Sequence, residues 1–150
     1  MHVGFTGTRR GMTELQWRAF REILRNGFWH SFHHGDCVGA DDEAATLVYE
    51  HKSPLTKVIR HPPLAGTLRA NNHCYHETRP EKPYLERNRA IVNETMRLIA
   101  AVSGPEEIRS GSWSTVRYAR KLGRQITIIY PDGSVVEEPA DMAKIVESFR

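Results

Sequence analysis

The chain has 150 residues, 39% of them apolar and 26% charged, with a net charge of +3. That length suits about one domain and can bury a core without covalent staples. The composition excludes a disordered chain, and no apolar run approaches the roughly 18 residues of a spanning helix. The start MHVGFTGTRR lacks the basic segment and apolar run of a secretory signal. Cys37 and Cys74 are too few for a disulfide framework. A reduced, cytoplasmic, single-domain protein spanning residues 1–150 is expected. Arginine supplies 16 of the 21 basic residues. Its planar fork grips phosphate or carboxylate bidentately, so the bias leans towards a phosphate-bearing partner.

In chain order, His2 to Thr6 is a short strand that breaks into Gly7-Thr8-Arg9-Arg10-Gly11. A helix starts at Thr13, where Thr13 and Gln16 fit a T-x-x-Q capping box, and Gly27 stops it. Phe20, Ile23 and Leu24 give it an apolar stripe. Phe28 to His34 reads as a buried strand ending at Gly35-Asp36-Cys37-Val38-Gly39. A helix follows from about Ala40 to Glu50, with Asp41, Asp42 and Glu43 in the first turn, where the helix dipole favours negative charge. Lys57 to His61 is a third strand, halted by Pro62-Pro63. Residues 64–82 show no period and read as a long loop. Tyr84 to Thr95 is a helix entered through Pro83. Met96 to Val102 is apolar throughout, as suits a strand buried on both faces. Ser114 to Leu122 is a helix closed by Gly123, and Gln125 to Tyr130 is the fifth strand. Pro131-Asp132-Gly133 then turns into a short strand, Ser134 to Glu137. A last helix, Pro139 to Arg150, carries Met142, Ile145, Val146 and Phe149 on one face. Alternating strands and helices predict an α/β domain: a three-layer, Rossmann-like arrangement around a mainly parallel five-stranded sheet, plus the C-terminal hairpin strand and helix. No internal repeat is present.

Open α/β sheets bind ligands outside the carboxyl ends of their strands. Three such ends here carry small residues ahead of a helix: Gly7-Thr8-Arg9, Gly35-Asp36 through Gly39, and Ser110-Gly111-Ser112. Small residues let backbone N–H groups approach an anion, and helix N-termini add unpaired donors. Neither G-x-G-x-x-G nor the P-loop pattern occurs, so no dinucleotide or NTPase cofactor is expected. Arg87 and Asn88 open a helix whose Ile91 and Val92 face the core, which places them at its rim. Asp36 and Asp41 serve either local turn and helix-start roles or a ligand's ribose hydroxyls. Trp113 is either a stacking ring or a core filler. His33, His34, Asp36 and Cys37, and likewise His73, Cys74 and His76, lack zinc-site spacing. His33 and His34, adjacent on a strand, point to opposite faces. No metal is expected.

Gly4-Phe5-Thr6-Gly7-Thr8-Arg9, His34-Gly35-Asp36-Cys37-Val38-Gly39-Ala40-Asp41, Arg87-Asn88-Arg89-Ala90-Ile91-Val92 and Ser110-Gly111-Ser112-Trp113-Ser114-Thr115 recur in order after successive strands. Over about residues 2–130 this resembles the SLOG superfamily, the Rossmann-like group that contains the lonely-guy cytokinin-activating enzymes and the DNA-processing protein A family. The resemblance implies a site for a nucleotide or nucleotide-derived ligand. Gly111, Ser112, Ser114 and Thr115 would hold phosphate; Gly7, Thr8, Arg9, Gly35, Asp36, Gly39, Asp41, Arg87 and Asn88 would complete the walls. Superfamily members that bind NAD-derived signals in antiphage defence make ADP-ribose-like molecules expected ligands, and a homodimer is expected by analogy.

Lonely-guy enzymes hydrolyse the N-glycosidic bond of nucleoside monophosphates with an Arg and with the Glu that ends P-G-G-x-G-T-x-x-E. Arg87, after Glu86, falls where that Arg stands. Ser112 and Ser114 replace two glycines, and Tyr118 stands at the Glu position. A phenol with a pKa near 10 is no carboxylate at neutral pH. Negative charge in a hydrolase would then come from Asp36, Asp41 or Glu86. Three functions follow in order: a sensor or sequestering domain for a nucleotide-derived ligand; an N-glycosidase using Arg87 with Asp36 or Glu86; and single-stranded nucleic-acid binding. The small net charge and the acidic Asp41-Asp42-Glu43 run argue against the third.

Overall fold

A computed structural model describes residues 1–64 and 68–150. The strands are β1 (His2–Gly7), β2 (Ser31–His34), β3 (Lys57–Arg60), β4 (Glu77–Thr78), β5 (Arg97–Ala101), β6 (Gln125–Ile129) and β7 (Val135–Glu138). The helices are α1 (Glu14–Leu24), α2 (Ala40–His51), α3 (Tyr84–Asn93), α4 (Gly111–Lys121) and α5 (Met142–Ser148). One seven-stranded sheet has the order β4-β3-β2-β1-β5-β6-β7, parallel except for the antiparallel β6–β7 pair.

The sheet is therefore wider than the five parallel strands and hairpin strand expected from the sequence. The addition is β4, in the stretch read as a loop; residues 65–67 of that stretch lie outside the described residues. Two residues cannot show a period. β4 exists because Ile59 and Arg60 offer it a parallel partner in register with Glu77 and Thr78. The second strand is shorter than expected: the chain turns at Gly27 (φ +74°), leaves Phe28 exposed and buries Trp29 ahead of β2.

Alternation along the strands divides the core. Phe5, Phe32, Val58, Ile99 and Ala101 pack with Phe20 and Leu24 of α1 and with Ala44 and Val48 of α2. Leu98, Ala100, Ile126 and Ile128 pack with Val92 of α3 and with Trp113, Val116 and Ala119 of α4. Trp113 is thus core, 2% exposed. The Thr13–Gln16 capping box forms as expected, and Gln16 then does more. Its Nε2 donates to the carbonyls of Val102 (2.8 Å) and Ile129 (2.9 Å), which ties α1 to the ends of two strands. The C-terminal helix is shorter than Pro139–Arg150. Only Ile145 of its apolar face is buried, and Met142, Val146 and Phe149 are exposed. No helix is long and apolar enough to cross a membrane among the described residues.

Candidate functional site

From β1 the sheet grows through β2 and β3 on one side and through β5 and β6 on the other. Loops leaving the carboxyl ends of β1 and β5 consequently diverge, and a crevice opens where open sheets of this kind bind ligands. A cavity of about 360 Å³ lies there, lined by Thr6 and Gly7 at the end of β1, Thr8 to Arg10 after it, Gly35 and Cys37 after β2, Asp41 of α2, Tyr84, Arg87 and Asn88 of α3, and Arg109 to Ser112 at the start of α4. That volume is within the ordinary range for small-molecule sites, roughly 300–1,000 Å³.

The β1–α1 loop is built on Thr8. Its N–H donates to the Ala101 carbonyl (3.0 Å), and its own carbonyl accepts from Gly11 (3.2 Å) and Ala40 (3.0 Å). Gly39, with φ +93°, lets this loop lie against α2, since any Cβ there would collide with the Arg9 carbonyl. Glu43 holds the far side of the loop by accepting from the Met12 N–H (2.7 Å) and Trp17 Nε1 (3.0 Å).

On the opposite wall, Ser110 caps α4: its Oγ accepts from the Trp113 N–H (3.3 Å) and its carbonyl from the Ser114 N–H (2.9 Å). The N–H groups of Gly111 and Ser112 have no acceptor among the described residues. Both residues line the cavity.

The floor is organised by Gly35. Arg87, 5% exposed, donates through one terminal nitrogen to the Gly35 carbonyl and, at 3.2 Å, to the His61 carbonyl. Its Nε donates to Asn88 Oδ1 (2.8 Å). Asp41 Oδ2 accepts the N–H groups of Gly35 (3.1 Å) and Cys37 (3.4 Å). Asp41 Oδ1 is buried with no partner among the described residues, although the residue lines the cavity. Burial raises this carboxyl from its ordinary 3.8 to about 6, against the opposing pull of the Arg87 guanidinium. Burial, with Asp41 beside it, likewise pushes the Cys37 thiol up, so it is no activated nucleophile. The Tyr84 ring receives two guanidinium groups, Arg87 at 5.2 Å and Arg9 at 5.6 Å from its centroid.

Of the residues singled out from sequence, Gly7, Thr8, Arg9, Gly35, Asp41, Arg87, Asn88, Gly111 and Ser112 share this cavity. Asp36, Gly39, Glu86, Ser114 and Thr115 do not line it. Asp36 is fully buried with φ +50°, and its carboxylate turns away to accept from Arg69 Nε (3.1 Å) and the Asn72 N–H (2.9 Å). Glu86 is exposed on α3. Thr115 is buried and donates from Oγ1 to the Gly111 carbonyl (3.0 Å). Ser114 and Tyr118 belong to a separate depression between α3 and α4, where Tyr118 donates to Asn93 Oδ1 (2.7 Å).

Sequence reasoning did not single out Arg10, Tyr84 or Arg109 as ligand contacts. Tyr84 was within reach, since it precedes Arg87 by three residues and shares its helix face. Arg109 carries no local signal. Among the described residues, neither histidine and cysteine cluster weighed from sequence brings three metal donors together.

No protein-family profile, curated protein or solved structure matches the chain.

Proposed function

We propose that this protein binds a nucleotide or nucleotide-derived ligand in the cavity between the β1 and β5 ends. One observation carries the reading: Arg9, Arg10, Arg87 and Arg109 all line the cavity, none pairs with a carboxylate within 4 Å among the described residues, and Asp41 is the one acidic side chain beside them. Four cations against one buried carboxyl favour an anion. The free N–H groups of Gly111 and Ser112, at the positive end of α4, are a phosphate cradle of the ordinary helix-terminus kind. Tyr84 supplies an aromatic face for a base or ribose. This reading agrees with the SLOG resemblance and its three-layer, Rossmann-like arrangement, and it makes the protein a sensor or a sequestering domain.

A second reading, N-glycosidic hydrolysis, is favoured by one observation of its own. Asp41, not Asp36 or Glu86, presents an unpartnered carboxylate oxygen beside Arg87. Water would add to the anomeric carbon as the base departs with a proton, and the carboxylate would stabilise the cationic sugar between them.

Equilibrium dialysis against nucleoside monophosphates, ADP-ribose, cyclic ADP-ribose and NAD, read by mass spectrometry on both sides, tests both readings. An intact retained ligand supports binding. Free base with ribose phosphate supports hydrolysis. Retention unchanged in both Arg9→Ala and Ser112→Tyr overturns the site.

A further inference from the structure

A second set of donors lies outside the cavity lining, between the sheet and the end of α3. It comprises His33 in β2, His61 just after β3, and Glu94 at the C-terminal cap of α3. His33 Nδ1 and His61 Nε2 are 2.9 Å apart, and the same His61 nitrogen is 3.6 Å from Glu94 Oε2. All three donor atoms lie within 4.8 Å of one another. One imidazole nitrogen carries a single proton or a single lone pair, so it cannot satisfy a second ring and a carboxylate at once. One proton can join only one pair of these three atoms, whereas their mutual separations let all three close around a single ion.

The neighbouring contacts orient each donor. His33 Nε2 lies 2.9 Å from Ser31 Oγ, which in turn lies 2.6 Å from His2 Nδ1. Ser31 is placed to accept the His33 Nε2–H while giving its own proton to His2, which leaves the Nδ1 lone pair facing the cluster. Arg79 holds Glu94 Oε1 through Nε and a terminal nitrogen, each at 3.0 Å, and so turns Oε2 towards His61. Hydrogen bonds of this kind on the outer atoms of metal ligands fix their orientation. Both rings are 2% exposed, and burial keeps them neutral, at about 4 for His33 and about 2 for His61. The neutral form is the one that ligates. Glu94, about one-third exposed, gives access from solvent.

We propose that His33, His61 and Glu94 bind a zinc-type divalent transition metal, with water completing the shell. Two imidazoles and one carboxylate match zinc's donor preferences. Tetrahedral coordination with zinc–nitrogen bonds of about 2.0–2.1 Å sets donors roughly 3.3 Å apart, so the two rings part by about 0.4 Å on binding. The proton between the rings is not lost: His61 carries it on Nδ1 once Nε2 ligates. An occupied site ties β2, the end of β3 and α3 together. Because Arg87 donates to the His61 carbonyl, it also stiffens the floor of the cavity.

The test uses the full chain, stripped with a chelator, and zinc titrated against a chromophoric indicator of micromolar affinity. The expected result is one equivalent retained, a raised Tm, and visible absorption bands of tetrahedral type on cobalt substitution. Glu94→Gln, at a partly exposed position that leaves folding intact, weakens zinc binding about 10-fold or more. His61→Asn removes it together with the cobalt spectrum. Failure to compete with the indicator overturns the proposal. So does unchanged stoichiometry and affinity in Glu94→Gln, which would place the ion elsewhere.

Discussion

Arg87 and Asp41 meet through a third residue, each holding one of the two backbone polar groups of Gly35. The guanidinium donates to the Gly35 carbonyl, and Asp41 Oδ2 accepts the Gly35 N–H at 3.1 Å. A β-strand end, a helix start and a helix from the other half of the chain are thereby held at the two peptide groups that flank one Cα. The arrangement requires a residue without a side chain: a Cβ on Gly35 would stand 2.5 Å from Arg87 Nη1 and 2.9 Å from Asp41 Oδ2.

Gly35→Ala should therefore displace both charged groups. Overpacking of this sort costs about 1–3 kcal/mol, which a shift of the urea midpoint at unchanged m-value would report. Loss of ligand retention should accompany it, since both displaced groups line the cavity. A variant as stable as the parent would show that Arg87 and Asp41 relax freely around the methyl group.

Asp41 gives stability a pH dependence of unusual sign for a carboxyl. In the folded chain it keeps its proton up to about pH 6, whereas the ordinary value is 3.8. Between those values the folded state binds more protons than the unfolded state, so this contribution falls as pH rises through that window and levels off above it. The shift corresponds to about 3 kcal/mol. In Asp41→Asn the dependence disappears. The stability difference between parent and variant should thus change by about 2 kcal/mol between pH 4 and pH 7 in urea unfolding, since part of the change falls below pH 4. A constant difference would mean that Asp41 stays ionised in the fold.

Asp36 has a different duty. It is buried, accepts from Arg69 and the Asn72 N–H, and lies 4.0 Å from Arg60. Asp36→Ala removes the carboxylate facing Arg60, leaves Arg69 only Glu81 (3.0 Å) and places alanine at φ +50°. Removing one partner from a buried ion pair costs about 3–5 kcal/mol. Limited proteolysis should then cut near residues 68–72, and ligand retention by the fraction still folded should persist. Abolished retention in a fully folded variant would bring Asp36 back into the site.

Arg87→Lys tests the fork itself. An ammonium cannot reproduce donation to the Gly35 and His61 carbonyls together with the bond to Asn88. Loss of these charged hydrogen bonds costs about 1.5–3 kcal/mol of stability, read as a lower urea midpoint, and the displaced cation weakens ligand retention in dialysis. Full affinity would reduce Arg87 to a point charge.

Much of the frame was legible because its causes are local. The Thr13–Gln16 box, the unbroken apolar run of β5 and the small residues after β1 and before α4 each act within a few residues, and the first two set the element types directly. β4 was not legible, because a two-residue edge strand is defined by its neighbour β3 and not by its own residues. Of the site, most of the glycines and arginines named from sequence do share the cavity, since strand ends of a parallel sheet collect on one edge. Arg109 escaped because nothing in its own neighbourhood marks it, whereas Tyr84, three residues before Arg87 on one helix face, was within reach.

The sequence by itself determined that strands alternate with helices, where most of the helices begin, and which loops can bring backbone N–H groups close to an anion. Tertiary structure alone decided which carboxylate faces the cavity. Asp36 and Asp41 look alike in a Gly-rich turn and a helix start. A side chain's direction, however, depends on partners far along the chain: Arg69 and Asn72 draw Asp36 away, while Gly35 and Cys37 hold Asp41 at the cavity wall. The convergence of His33, His61 and Glu94 is of the same kind. Periodicity and caps are short-range, whereas contact between a strand, a strand end and a helix cap exists only once the sheet and its covering helix are assembled.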